Sequence, residues 1–236
     1  MTVNAGLNRR QFLSGTSAAA TVAAATQVVL GTARGGDAPA AAEADYSPTF
    51  FTKAEWAFIN AAVGRLIPSD SNGPGGVDAG VPAFLDRQME LPYGHGAFAY
   101  MQGPFQPNAP VSLGYQLPLT PRELYRLGIA AADEASRQSS GRRFFELEVA
   151  LQDRFLTALE TGTVQLSGLP AKAFFTQLWG NVREGYFADP LYGGNRGMVG
   201  WKLIGFPGAR ADFTDWMDQQ GKKYPYGPVS IGGRRA

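Results

Sequence analysis

The sequence predicts an all-α fold, a single irregular helical domain with long Gly/Pro-rich loops. Five segments repeat apolar residues every three or four positions, and several begin at recognisable helix caps. No run of five or more residues alternates apolar and polar side chains as a half-buried strand would. Glycine and proline supply 30 and 16 of the 236 residues, well above ordinary usage, which indicates long irregular connections.

The first segments of the predicted domain carry clear helix signals. Thr52 and Glu55 form a capping box, and an apolar stripe follows until Pro68 ends the helix. The stripe consists of Trp56, Ile59, Val63, Leu66 and Ile67. A Gly/Pro-rich loop over 69–80 precedes a second, shorter helix over Val81–Leu91, whose predicted buried residues are Phe84, Leu85 and Met89.

A long segment without helical or strand periodicity, 92–119, separates these helices from the next one. Thr120 is a predicted N-cap, with Pro121 at the first helical position and Glu123 at the third. Leu124, Leu127 and Ala131 are predicted to form the buried face of this helix. A loop as long as 92–119 is usually functional or bound to a partner.

Two further helices are predicted before a glycine-rich region. The first runs over 144–160 and stops at Gly162, and the second begins at Pro170 and closes at Asp189. The buried residues predicted for the first are Leu147, Leu151, Phe155, Leu156 and Leu159, and those for the second are Phe174, Phe175, Leu178, Val182 and Tyr186. We expect an irregular segment over 191–210 and an extended tail over 222–236.

The amino-terminal residues predict export. Arg9 and Arg10 are followed by Phe12 and Leu13, and then by an uncharged stretch over 15–30 that is mostly Ala, Thr and Val. This order is typical of a twin-arginine signal, and the stretch is shorter than the roughly 20 residues that span a bilayer. We therefore assign 1–42 to a twin-arginine signal peptide and linker, with the twin-arginine translocase as a partner and the periplasm as the destination.

Composition limits the chemistry that this chain can perform. It has no cysteine, which excludes disulfides, thiolate metal sites, iron–sulfur clusters and covalent c-type haem. Without residues 1–42, it has 18 basic and 19 acidic residues, so we expect no nucleic-acid partner. Charged residues make up only 17%, which favours a surface that is buried against another protein.

Three interpretations of possible sites remain open. The glycine-rich stretch over 193–200 matches neither common phosphate-binding motif, so a structural loop is favoured. His95, the single histidine, predicts a free-standing hydrolase if an Asp and a Ser approach it in the fold. Aromatic residues in the loops suit either a sugar-binding pocket or a protein interface.

Four sequence blocks resemble the gluconate 2-dehydrogenase subunit 3 family. They read YMQGPFQP at 100–107, GYQLPLTP at 114–121, FADPLYGGNR at 187–196 and GWKLIGFPG at 200–208. The resemblance covers about 50–231, and the part over 189–208 is its most specific portion. It implies that 46–231 form a helical domain of this family.

The resemblance also implies a role and partners. In that family the small, or gamma, subunit is not catalytic and carries no cofactor. It accompanies a large FAD-containing subunit of the glucose-methanol-choline type, usually with a multihaem cytochrome c subunit, and is thought to stabilise and co-export the flavoprotein. We predict that Tyr192, Arg196, Trp201 and Phe206 contact the partner or organise the loops, with no catalytic, cofactor-binding or metal-binding residue in this chain.

Overall fold

The computed structural model describes residues 46–106 and 109–236. These residues form six α-helices, joined by loops and short 3₁₀ turns, and contain no β-strand, which confirms the predicted all-α class. The helices are Lys53–Leu66 (α1), Val81–Glu90 (α2), Pro121–Ser140 (α3), Val149–Thr161 (α4), Ala171–Phe187 (α5) and Val199–Ile204 (α6). None of the helices in this part of the chain is long and apolar enough to cross a membrane.

The predicted signal peptide over 1–42, with Arg9, Arg10, Phe12 and Leu13, lies outside the described residues and stays a prediction.

The capping box predicted for Thr52 and the N-cap predicted for Thr120 are both confirmed, and each forms a complete capping box. Before α1, the Thr52 amide donates to Glu55 Oε2 over 2.8 Å, and the Glu55 amide in turn donates to the Thr52 hydroxyl. Before α3, the Thr120 amide donates to Glu123 Oε2 over 2.7 Å. Each box satisfies amides that a helix start otherwise leaves without a partner, so the two start points follow from local sequence.

Helix α5 lies at the centre of the core and contacts α1, α2, α3, α4 and α6. All five residues predicted to be buried in α5 are buried. Phe174 packs against Tyr125 of α3 and Phe58 of α1, with ring centroids 6.3 and 6.1 Å apart. Gly128 permits this packing, because a Cβ there would lie 2.2 Å from the Phe174 ring.

Two predicted core positions are wrong. Leu127 in α3 is 45% exposed and Leu151 in α4 is 41% exposed. In α3 the buried face is rotated toward Tyr125 and Ile129, because the Tyr125 hydroxyl finds a buried acceptor in Asn181 at 3.0 Å. Tyr125 is therefore buried in the core although its side chain has a polar tip, and Leu127 lies on the exposed side of α3.

One predicted helix boundary and one predicted irregular segment also differ from the structure. The helix predicted to begin at 144 begins only at Val149, and Phe144–Glu146 form a separate 3₁₀ turn. This turn is held in place because the Phe144 amide donates to buried Asp133 at 3.1 Å and the Phe144 ring packs in the core. The glycine-rich segment predicted to be irregular contains the short helix α6.

Candidate partner-binding site

The most specific sequence block, residues 189–208, folds around one buried asparagine. Asn195 is fully buried in the left-handed conformation, with φ 47° and ψ 40°. Its Nδ2 donates to the Ala188 carbonyl at 2.9 Å, and its Oδ1 accepts from the Gly200 amide at 2.8 Å. Because both ends of this side-chain amide bond to the backbone, Asn195 joins the end of α5 to the start of α6.

Asp189 anchors a distant part of the chain to this block. Its Oδ1 accepts from the Leu191 amide at 2.9 Å, and its Oδ2 accepts from the Ile231 amide at 2.6 Å. A second anchor pairs Gly208 with Val229, whose carbonyl accepts from the Ala209 amide at 2.7 Å. The carboxy-terminal segment is thus held along the 189–208 block at two points.

Three glycines of the block, Gly193, Gly194 and Gly200, are required by close packing. A Cβ at Gly194 would lie 2.1 Å from the Gly185 carbonyl oxygen, and one at Gly200 would lie 2.2 Å from that of Tyr186. A Cβ at Gly193 would lie 1.9 Å from Arg87 Nη1. A phosphate-binding loop keeps its glycine surface open to the ligand, whereas these glycines face the protein itself, which supports the structural-loop interpretation.

The four predicted contact residues fall into two kinds. Trp201 is buried and donates through Nε1 to the Phe187 carbonyl at 2.7 Å, and the half-buried Arg196 packs its guanidinium over Gly80. Phe206 is 44% exposed and packs edge-on against Trp201, with centroids 5.1 Å apart. Tyr192 is 48% exposed. Trp201 and Arg196 therefore organise the block, while Phe206 and Tyr192 present apolar surface to solvent.

Tyr192 borders an open groove of about 450 Å³ between α2, α5 and the block. Phe84, Gln88, Glu184 and Phe187 line the rest of it, together with Ala188 and Asp189. The contact role assigned to the four residues stays a prediction.

The family model for gluconate 2-dehydrogenase subunit 3 matches residues 53–208. This chain belongs to the gluconate 2-dehydrogenase subunit 3 family. The match begins at the first residue of α1 and includes the whole 189–208 block. Membership makes the chain a small subunit that accompanies a gluconate 2-dehydrogenase catalytic subunit. No curated protein and no solved structure matches the chain significantly.

In the described residues, His95 lacks the hydrogen bonds of a Ser-His-Asp hydrolase site. His95 is exposed, and its Nε2 lies 2.6 Å from Arg122 Nη1. Because a guanidinium only donates, Nε2 accepts this bond and cannot at the same time take a proton from a nucleophile. Among residues 46–106 and 109–236, no serine or threonine hydroxyl is hydrogen-bonded to His95.

The loop aromatics enclose only a small cavity. Tyr93, Phe98, Tyr115 and Gln177 line a space of about 180 Å³. Typical small-molecule pockets are larger, about 300–1,000 Å³. A sugar-binding pocket is therefore not favoured at this place.

Beneath this cavity lies a buried polar network that the sequence analysis missed. Asn181 donates to the Tyr93 hydroxyl at 2.7 Å and to Glu184 at 2.8 Å, and its Oδ1 accepts from Gln177 and Tyr125. Burial raises the pKa of the Tyr93 phenol and raises that of Tyr125 well above its ordinary value. Both phenols are therefore neutral over the physiological range, and the network serves internal packing.

Asp86 is a second residue that the sequence analysis missed. It is fully buried in α2 and accepts hydrogen bonds from the Thr49, Phe50 and Phe51 amides, at 2.8, 3.1 and 2.8 Å. The Tyr46 and Thr49 hydroxyls also donate to it. Its position could have indicated this role, because Asp86 follows Leu85 on the apolar face of a short helix. A single carboxylate that is buried there requires hydrogen-bond donors from elsewhere in the fold.

Proposed function

We propose that this chain is the non-catalytic small (gamma) subunit of a periplasmic FAD-dependent gluconate 2-dehydrogenase-like oxidoreductase, which stabilises and co-exports the flavoprotein subunit. The family match over 53–208 carries this proposal. The catalytic partner is a large FAD-containing subunit of the glucose-methanol-choline type, and a multihaem cytochrome c subunit completes the complex. Through these partners the complex associates with the outer face of the cytoplasmic membrane.

The chemistry of the described residues supports a binding role. The buried polar side chains Asp86, Asn181, Asp189 and Asn195 all bond to the chain itself and so hold the fold together. The exposed apolar residues of the 189–208 block offer surface for a protein partner.

Co-purification tests the subunit assignment. A tagged chain is co-expressed with the FAD-containing catalytic subunit of the same genome, and the complex is isolated by affinity and size-exclusion chromatography. We expect a stable complex that carries flavin absorbance and oxidises its sugar acid substrate. Recovery of the chain alone, with the flavoprotein fully active without it, would contradict the assignment.

The export role has a separate test. Changing Arg9 and Arg10 to Lys should leave both the chain and the flavoprotein in the cytoplasm, because the twin-arginine pair addresses folded cargo. Arg34→Lys is the matched control, since it changes an arginine outside the motif in the same region. Normal export of the flavoprotein with both motif arginines replaced would exclude co-export.

A further inference from the structure

Charge is distributed unevenly along the described chain. Residues 46–188 contain 11 basic and 13 acidic side chains, whereas residues 189–236 contain 7 basic and 4 acidic ones. From position 219 onward the segment has four basic residues and no acidic one. These four are Lys222, Lys223, Arg234 and Arg235, and all are exposed. We call residues 207–236 the strap.

Exposed apolar side chains concentrate on the same part of the molecule. Of 18 large hydrophobic residues that are exposed in the described chain, ten lie between 187 and 231, less than a quarter of that chain. They are Phe187, Leu191, Tyr192, Leu203, Ile204, Phe206, Phe213, Met217, Tyr226 and Ile231. Exposed apolar residues grouped beside basic ones are typical of protein interfaces, in which aromatic residues and arginine are enriched.

The strap is held in a defined conformation before any partner binds. The Arg210 guanidinium stacks over the Tyr224 and Tyr226 rings, at 4.9 and 5.4 Å from their centroids. Arg210 Nη2 also donates to the Gly227 carbonyl at 2.9 Å. The Phe213 and Trp216 rings pack edge-on against Tyr224, with centroids 5.5 and 5.6 Å away. Such preorganisation reduces the entropy cost of binding.

We propose that the strap and the exposed side chains of α6 form the surface that binds the catalytic subunit, and that the four basic residues of the strap meet an acidic patch on it. This inference rests on the proposed function. The hydrogen bond from the Ile231 amide to Asp189 fixes the end of the strap to the 189–208 block, so the basic residues of the strap and the exposed apolar residues of the block lie in the same part of the molecule. Complementary charge around such a surface would steer and orient the partner.

A protein partner fits this surface better than an anionic membrane. Asp212, Asp215 and Asp218 are exposed in the strap, next to the aromatic cluster around Tyr224. Anionic headgroups would repel these three carboxylates. A protein surface, by contrast, can place basic side chains opposite these three aspartates and acidic side chains opposite the lysines and arginines of the strap.

Charge reversal tests the electrostatic part. The strap variant changes Lys222, Lys223, Arg234 and Arg235 to Glu in the full exported chain. The control variant makes the same change at four exposed basic residues elsewhere: Lys53, Arg142, Arg154 and Lys172. Affinity for the purified FAD-containing catalytic subunit of the same genome is measured at about 50 mM and about 500 mM salt, because screening shortens electrostatic reach.

We expect the strap variant to bind about tenfold more weakly or worse at low salt, with a smaller difference at high salt. The control variant should stay within about threefold of the wild type. Equal binding by the strap variant and the wild type, or an equal loss in the control variant, would overturn the docking surface. Failure of the wild-type chain to bind at all would instead contradict the proposed function itself.

A second pair of variants tests the apolar part without changing charge. Leu203 and Ile204 are 50% and 60% exposed on α6, so replacing both with Ala should disturb the fold little. Val149→Ala with Leu151→Ala is the matched control on α4, where these residues are 55% and 41% exposed. We expect the α6 pair alone to weaken binding, about tenfold at both salt concentrations.

Vesicles of mixed phosphatidylglycerol and phosphatidylcholine provide the last comparison. If the strap charges governed binding to these vesicles, and had no effect on affinity for the catalytic subunit, the surface would bind lipid and the proposal would be wrong.

Discussion

Removal of the Asp86 carboxylate should release the segment 46–51 and destabilise the domain. In Asp86→Ala, the amides of Phe50 and Phe51 lose their acceptor, and both residues are buried. Each buried donor left unsatisfied costs about 1–3 kcal/mol, so we expect a loss of about 2–6 kcal/mol in the free energy of unfolding. The Thr49 amide adds little, because that residue is exposed and can bond to water.

Asp86→Asn refines this prediction, because it preserves the shape of the side chain. An amide oxygen can still accept from Phe50 and Phe51, but the amide nitrogen then faces the Thr49 N–H, which cannot turn away. We expect a loss of about 1–3 kcal/mol, between the wild type and the alanine variant. Urea denaturation followed by circular dichroism measures both values, and hydrogen exchange at the Phe50 and Phe51 amides shows whether the loss is local.

Asp153→Asn is the control for loss of an aspartate. Asp153 accepts two hydrogen bonds from Arg65, at 2.7 and 3.0 Å, but its side chain is 47% exposed. A pair this exposed contributes about 1 kcal/mol or less. If Asp86→Ala shifted the urea midpoint no more than Asp153→Asn does, the Phe50 and Phe51 amides would not depend on Asp86 for stability.

Three further predictions concern backbone packing, a buried hydrogen-bonded asparagine and a pH dependence. Gly200→Ala should lower the free energy of unfolding by about 1–3 kcal/mol, because the added Cβ would lie 2.2 Å from the Tyr186 carbonyl oxygen. Gly180→Ala should raise it by up to about 1 kcal/mol, because a Cβ there has nothing within 4 Å. Thermal melts compare the two variants. Equal losses in both would contradict the packing argument. Asn195→Ala should lower the free energy of unfolding by about 2–4 kcal/mol, because both buried hydrogen bonds of the side chain are lost. Asn195→Gly should be about 1 kcal/mol more stable than Asn195→Ala, because glycine adopts the left-handed conformation freely. A lower stability of Asn195→Gly than of Asn195→Ala in urea denaturation would refute this. Burial raises the pKa of Asp133 in the folded state, so the folded chain holds this proton more tightly and loses stability as pH rises above the ordinary aspartate value of about 3.9. Asp133→Asn, which can still accept from Phe144, should therefore gain stability relative to the wild type over that range, and a pH-independent difference would exclude the effect.

Local interactions explain which features the sequence predicted well. The two capping boxes join residues only three positions apart, Thr52 with Glu55 and Thr120 with Glu123, and they form at the predicted capping box and the predicted N-cap. The stop at Gly162 is equally local, since this glycine adopts a left-handed conformation immediately after α4. The motif over 189–208 indicates the family through residues that are close together in the chain, and the family model matches through the end of that motif.

Long-range interactions explain what the sequence could not predict. Asp86 accepts from amides 35 and 36 positions away, and Asp189 accepts from an amide 42 positions away, so neither partner is visible in a local pattern. Leu127 was expected in the core, yet Tyr125 is buried instead because its hydroxyl bonds to Asn181, 56 positions along the chain.

The sequence by itself determined the helical class, the capped starts of α1 and α3, the exclusion of thiolate and covalent haem sites, and the family. These follow from neighbouring residues or from composition. Only the tertiary structure decided which face of each helix is buried, which polar groups meet inside the core, and that the end of the strap is hydrogen-bonded to Asp189. Burial and hydrogen bonding between distant residues depend on the packing of all the helices together, and that packing is set by the whole chain.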